Sequence, residues 1–147
     1  MNTHILSEEE MQLWHKWKNS YKVIFGNVVK DMFAQTGLSE GDYGILDRLD
    51  LYGEGKLRQQ ELASTMDWDK SRLSHHLTRM EKRGLVIREQ LKNERGVQVI
   101  MTASGKSILL DARPIVSMAI REHFLNLLTE QDMKTITNLA DKTKSSS

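Results

Sequence analysis

Between Glu8 and about Gln35, apolar side chains return at every third or fourth position: Met11, Trp14, Trp17, Tyr21, Ile24, Phe25, Val28 and Met32. That spacing is one face of an α-helix. As a single helix the stretch spans about 28 residues, or roughly 40 Å at 1.5 Å per residue. A small globular core cannot cover a rod of that length by itself. The pattern therefore predicts a helix that packs against another subunit, and it limits the fold to architectures built around such an arm.

The other end of the chain is similar. From Ala103 the helical period returns, with Leu109, Ala112, Val116, Ala119, Phe124 and Leu128 among its apolar positions. Pro114, the only proline, falls inside this run and is expected to bend it or loosen one turn. Thr129, followed by Glu130 and Asp132, reads as the N-cap of a last helix. The Lys-Thr-Lys-Ser-Ser-Ser end is expected to fray.

Shorter elements lie between the arms. Thr36-Gly37 stops the first helix, and Ser39 caps a second that carries Tyr43, Leu46 and Leu49. Tyr52 to Lys56 is a glycine-punctuated turn, and Leu57 to Met66 reads as a short helix. After a break at Asp67-Trp68, Asp69 caps a helix running to Arg83, where Gly84 supplies the positive φ of a helix end. "LVIREQL" and "VQVIMT", separated by "KNERG", then alternate with period two and predict a β-hairpin. Helix, short turn, helix, hairpin is a winged helix-turn-helix. The expected fold is mainly α with a small β-hairpin wing, one domain over residues 1–147. Dimerisation helices occupy about 1–36 and 104–147, and the winged-helix lobe about 38–103.

Charge points to the same lobe. The whole chain carries a formal +1, but residues 69–96 hold 8 Lys/Arg against 4 Asp/Glu, while residues 1–52 hold 5 against 8. A basic segment on an otherwise neutral protein is the electrostatic footprint of a polyanion site. Other functions lose ground. Without cysteine there is no disulfide, thiolate metal site or cysteine nucleophile. No Gly-rich phosphate loop, nucleophile elbow or helix-borne carboxylate–histidine motif is present, so no enzyme, cofactor or metal is expected. No apolar run approaches the roughly 20 residues of a membrane span. The first residues also lack a signal peptide's basic and apolar blocks, which predicts a cytoplasmic protein.

His75 and His76 stand side by side in the helix after Asp69. At about 100° per residue, Leu73, Leu77, Met80 and Gly84 share a stripe, and His75 points almost opposite it beside Ser71, Arg79 and Lys82. His76 lies on the flank of that stripe, near Arg72 and Arg83, where it is expected to affect stability or phosphate affinity slightly. A metal pair would prefer i,i+4 spacing, but the residues four beyond are Arg79 and Met80. His75 is therefore read as a DNA contact.

In their order these motifs resemble the MarR-type (multiple antibiotic resistance regulator) family. Leu62-Ala63 match the start of its helix-turn-helix, and Ser74-His75 its hydroxyl-then-basic pair in the recognition helix. Met80-Glu81-Lys82-Arg83-Gly84-Leu85-Val86-Ile87-Arg88 follows its closing pattern. Asn93-Glu94-Arg95-Gly96 and Met101-Thr102-Ala103-Ser104-Gly105 follow its wing. The chain departs from the family at His75 for arginine, Asn93 for aspartate and Met80 for leucine. With asparagine at 93, Arg95 is left to a neutral hydrogen bond.

The resemblance implies a homodimeric transcriptional repressor on a near-palindromic, double-stranded DNA operator. Ser71, Arg72, Ser74, His75 and Arg79 would read bases or grip phosphate, and Arg95 would enter the minor groove. Lys70, Lys82, Arg88 and Lys92 would clamp phosphates. A small aromatic or phenolic effector is also implied, with Trp14, His15, Trp17, Tyr21, Phe25 and Tyr43 as candidate lining or, more simply, as helix-packing core. The contrasting reading is a winged-helix protein-interaction module without specific DNA binding.

Overall fold

A computed structural model describes residues 5–144. Helix α1 runs from Glu8 to Thr36, α2 from Glu40 to Gly53, strand β1 from Lys56 to Arg58 and α3 from Gln59 to Met66. Helix α4 spans Lys70–Lys82, strands β2 and β3 span Val86–Gln90 and Val97–Met101, and α5 spans Ala103–His123. After a short 3₁₀ turn at Leu125–Leu127, α6 covers Glu130–Lys144. Lys142-Thr143-Lys144, expected to fray, closes α6 instead, while residues 145–147 lie outside the described part.

The helix starts follow the capping residues read from the sequence. The Ser39 hydroxyl accepts from the Asp42 N–H, and the Asp42 carboxylate accepts from the Ser39 N–H, a reciprocal capping box. Asp69 accepts from Arg72 N–H at 2.8 Å. Thr129 and Asp132 exchange the same pair of bonds at the head of α6. Gly84, at φ 75°, ends the turn after α4 in the left-handed region. The helix α5 runs unbroken through Pro114, which lacks the N–H for one helical hydrogen bond.

One element differs from the sequence reading. Lys56–Arg58, assigned above to a turn and a helix, is a third strand. The sheet has the order β1-β3-β2, all antiparallel, with Leu57 and Arg88 both opposite Val99. Three residues are too few to show a period, and the strand exists because Val99 and its neighbours offer Leu57 a buried edge to pair with.

By internal contacts the chain forms two compact units. In the first, residues 31–116, Leu38, Ile45, Leu46, Leu49, Leu62, Leu73, Leu77, Met80, Leu85, Val86, Val99 and Leu109 are essentially solvent-free. This core joins α2, α3, α4, the sheet and the first half of α5. The α4 stripe inferred from periodicity, Leu73, Leu77 and Met80, is wholly buried within it.

The second unit, residues 1–30 with 117–147, is built differently. None of the residues of α6 is buried, and Met133, Ile136 and Leu139 are exposed at three-residue spacing. Along α1, Trp14 is 50%, Trp17 53% and Tyr21 62% exposed. Such large apolar side chains left open on both helices form an unpartnered surface. Among the described residues no helix is long and apolar enough to cross a membrane.

Candidate nucleic-acid interface

The exposed side of α4 and the loop joining β2 to β3 carry the basic residues singled out in the sequence. Lys70, Ser71, Arg72, His75, Arg79 and Lys82 are exposed on α4, and Lys92 and Arg95 are exposed in the loop. The α4 stripe is buried because α2, α3 and β2 pack against it, so the opposite face of a 13-residue helix must look outward. His75 sits in the middle of that face, as the projection required. An exposed helix of this kind, with its polar side free, has the width to enter a DNA major groove.

Two residues expected at the interface are engaged inside the fold. Arg88 donates from Nε to Glu81 Oε1 at 2.7 Å, from Nη1 to Ser74 Oγ at 3.2 Å, and from Nη2 to Thr78 Oγ1 at 2.8 Å. It is a strut between β2 and α4, half-buried, rather than a free cation. Ser74 is half-buried for the same reason, its hydroxyl facing Arg88. No local pattern reveals this, since Glu81 and Arg88 meet only once β2 folds back along α4.

The wing is held by a different contact from the one inferred at Asn93. Glu94 pairs with Arg58, the residue that closes β1 and opens α3. This ties the loop to the strand that the sequence reading missed. Among the described residues no hydrogen bond joins Asn93 to Arg95. Arg95 stands exposed beside the tethered Glu94.

His76 is the larger revision. On the flank of the α4 stripe, its ring is mostly covered, with Nε2 2.8 Å from Asp42 Oδ1 on α2, a tie that the slight effect expected for it did not foresee. Asp42 is itself only 6% exposed, and its other oxygen accepts from Arg83 Nη1 at 2.7 Å and from the Ser39 N–H at 3.0 Å. Burial alone would push this carboxyl up. Hydrogen bonds from His76, Ser39 and Arg83 outweigh that and hold it far below the usual carboxylate range. Gly41 leaves the room for this packing: a Cβ there would come within 2.7 Å of His76 Cε1 and 2.8 Å of the Trp68 ring. Ser39 marked the start of α2 in the sequence, but nothing local signalled the place of Asp42 in this network.

The aromatic candidates for an effector fall into both units. Trp14 stacks on Trp17, and Tyr21 on Phe25, each pair with centroids 5.5 Å apart along α1. His15 borders a shallow open depression with Lys18, Asn19 and Lys22. Tyr43, in the other unit, packs half-buried against the core, where burial and the Asp47 carboxylate push its phenol up.

Comparison with known proteins gives this geometry a context. The MarR family profile matches residues 38–97. AbsC, a MarR family transcriptional regulator from Streptomyces coelicolor, is 30% identical over 96% of this chain and 98% of its own, with TM-score 0.83. Sco3205, a MarR family transcriptional regulator from the same organism solved in complex with DNA, is 26% identical over 97% and 93%, with TM-score 0.88. A mutant of MarR from E. coli, complexed with operator DNA, is 20% identical over 95% and 98%, with TM-score 0.79, a likeness of fold. No curated protein matches the chain by sequence.

Proposed function

Because the chain belongs to the MarR family, we propose that it is a sequence-specific regulator of transcription that binds a near-palindromic operator as a homodimer and represses by occupying it. The observation that carries this reading is the outward face of α4, with His75, Arg79, Ser71 and Lys82 side by side over a rigid buried stripe. A DNA complex of the 26%-identical Sco3205 supports it. In this scheme α4 lies in the major groove, with Ser71, Arg72, His75 and Arg79 at base edges or phosphates. Arg95 reaches the minor groove, while Lys70, Lys82 and Lys92 grip phosphate. Ser74 and Arg88, engaged with each other, support this surface from behind. A regulator working on DNA would act in the cytoplasm.

His75→Ala should weaken specific binding by about 1–3 kcal/mol, the usual size of one lost base contact, and relax preference at one position of each half-site. Binding-site selection on the variant checks this. Unchanged base preference would remove His75 from the reading set, and a wild-type protein without base preference would favour a protein-interaction module. Genomic footprinting beside a promoter reporter would show whether the occupied site is repressed.

The homodimer is supported by the open apolar surfaces of α1 and α6, which a single copy leaves in water. Sedimentation at micromolar concentration should give twice the 17.0 kDa chain mass, and a species of single-chain mass with and without DNA would refute the dimer. The aromatic pairs of α1 also support an effector of small phenolic type. Titration with phenolic acids should then quench tryptophan fluorescence and weaken operator binding together; quenching without loss of binding would argue for non-specific adsorption.

A further inference from the structure

Beneath the outward face of α4, one buried pair touches Arg79 directly and reaches Arg72 only by way of Trp68. Asp42 Oδ1 lies 2.8 Å from His76 Nε2, and the opposite ring nitrogen, Nδ1, lies 3.2 Å from Arg79 Nη2. A carboxylate accepts hydrogen bonds and a guanidinium donates them. The ring between them must therefore carry its proton on Nε2 and turn the Nδ1 lone pair toward Arg79. The same ring meets Trp68 edge-on, with centroids 5.4 Å apart, and Arg72 lies 4.0 Å over the face of Trp68. Arg83 holds the second Asp42 oxygen, so the carboxylate that starts this chain of contacts is locked on both sides.

From these contacts we infer that the buried Asp42–His76 pair positions the DNA-reading face, setting the direction of Arg79 through the His76 Nδ1 acceptor and of Arg72 through Trp68. The inference rests on the DNA-binding reading above and adds residues that touch no DNA. A free arginine has many rotamers to lose on binding, and a fixed acceptor or ring plane removes part of that loss beforehand. It also joins α2 to base choice. Movement of the second helix relative to α4 would disturb Arg79 without changing any residue at the DNA surface.

Measurements on the full chain, with and without operator, test this. In the wild type, nitrogen–proton correlation spectra of His76 should show the Nε2–H tautomer near pH 7.5. An Nδ1–H tautomer or a doubly protonated ring would overturn the tether. His76→Gln keeps an amide donor for Asp42 but offers no acceptor in the Nδ1 place. In that variant Arg79 Nε–H relaxation should show greater mobility, while Arg121 does not change. Should the glutamine variant fail to fold, Gly41→Ala displaces the ring without altering a polar group, and the same gain in Arg79 mobility is expected.

Operator binding then separates positioning from general weakening. Arg79→Ala should lose roughly 5- to 100-fold. His76→Gln should lose about 3- to 10-fold and broaden selection at the base positions that Arg79→Ala broadens, and the double variant should be no weaker than Arg79→Ala. Losses that simply multiply, or unchanged Arg79 mobility, would overturn the inference and leave DNA reading intact. A wild type with no base preference would remove the DNA reading and this inference with it, whatever the mobility shows.

Discussion

Asp42→Ala should lower the stability of the fold by about 2–4 kcal/mol, because removing a buried hydrogen-bond acceptor leaves its donors unsatisfied at about 1–3 kcal/mol each. The carboxylate is 6% exposed and serves three donors, on His76, Arg83 and the Ser39 backbone. Its removal leaves those donors facing a cavity and opens the capping box of α2. For a chain of this size the melting temperature should fall by roughly 10 °C. Operator binding should weaken as well, because α4 loses its polar tie to α2. A melting temperature within a degree or two of wild type would show that the network adds nothing.

The pH dependence has a definite sign. The Asp42 carboxyl titrates well below its ordinary value of 3.8 in the folded chain. Its contribution is therefore fully present above about pH 4 and is lost as pH falls toward the folded pKa. Asp42→Asn keeps the shape without the charge, so its stability should fall less steeply than wild type below pH 4. Denaturant titrations of both proteins between pH 2 and 6 provide the comparison, and parallel acid limbs would contradict the assignment.

The second large effect is on binding. Raising salt from 50 to 200 mM should weaken operator affinity by about 10³- to 10⁴-fold. Each phosphate contact contributes about −0.9 to the slope of log affinity against log salt, and three or four contacts per subunit give about −5 to −7 for a symmetric dimer. Each chain leaves Lys70, Lys82, Lys92 and Arg95 exposed on or beside α4 and the wing. Arg88 is left out of that number, because Glu81, Ser74 and Thr78 hold its guanidinium. Replacing Lys92 with alanine should lower the slope magnitude by about 2, one contact from each subunit, without changing base preference. A shallow salt response would mean that the basic surface is not the DNA-binding surface.

The sequence by itself determined the elements whose causes lie within a few residues. Apolar spacing defined α1 and the buried stripe of α4, and Ser39, Asp69 and Thr129 marked the starts of α2, α4 and α6. Helix periodicity and capping are local physics, so His75 could be turned outward before any tertiary contact was known. Tertiary structure decided the rest. The strand β1 depends on Val99, 42 positions from Leu57, and the place of His76 depends on Asp42, 34 positions away. The strut at Arg88 and the tie from Arg58 to Glu94 likewise join segments that meet only after folding. A histidine between a carboxylate and a guanidinium is a different group from one in water, and the partners that make it so are brought together by the packing of α2 on α4.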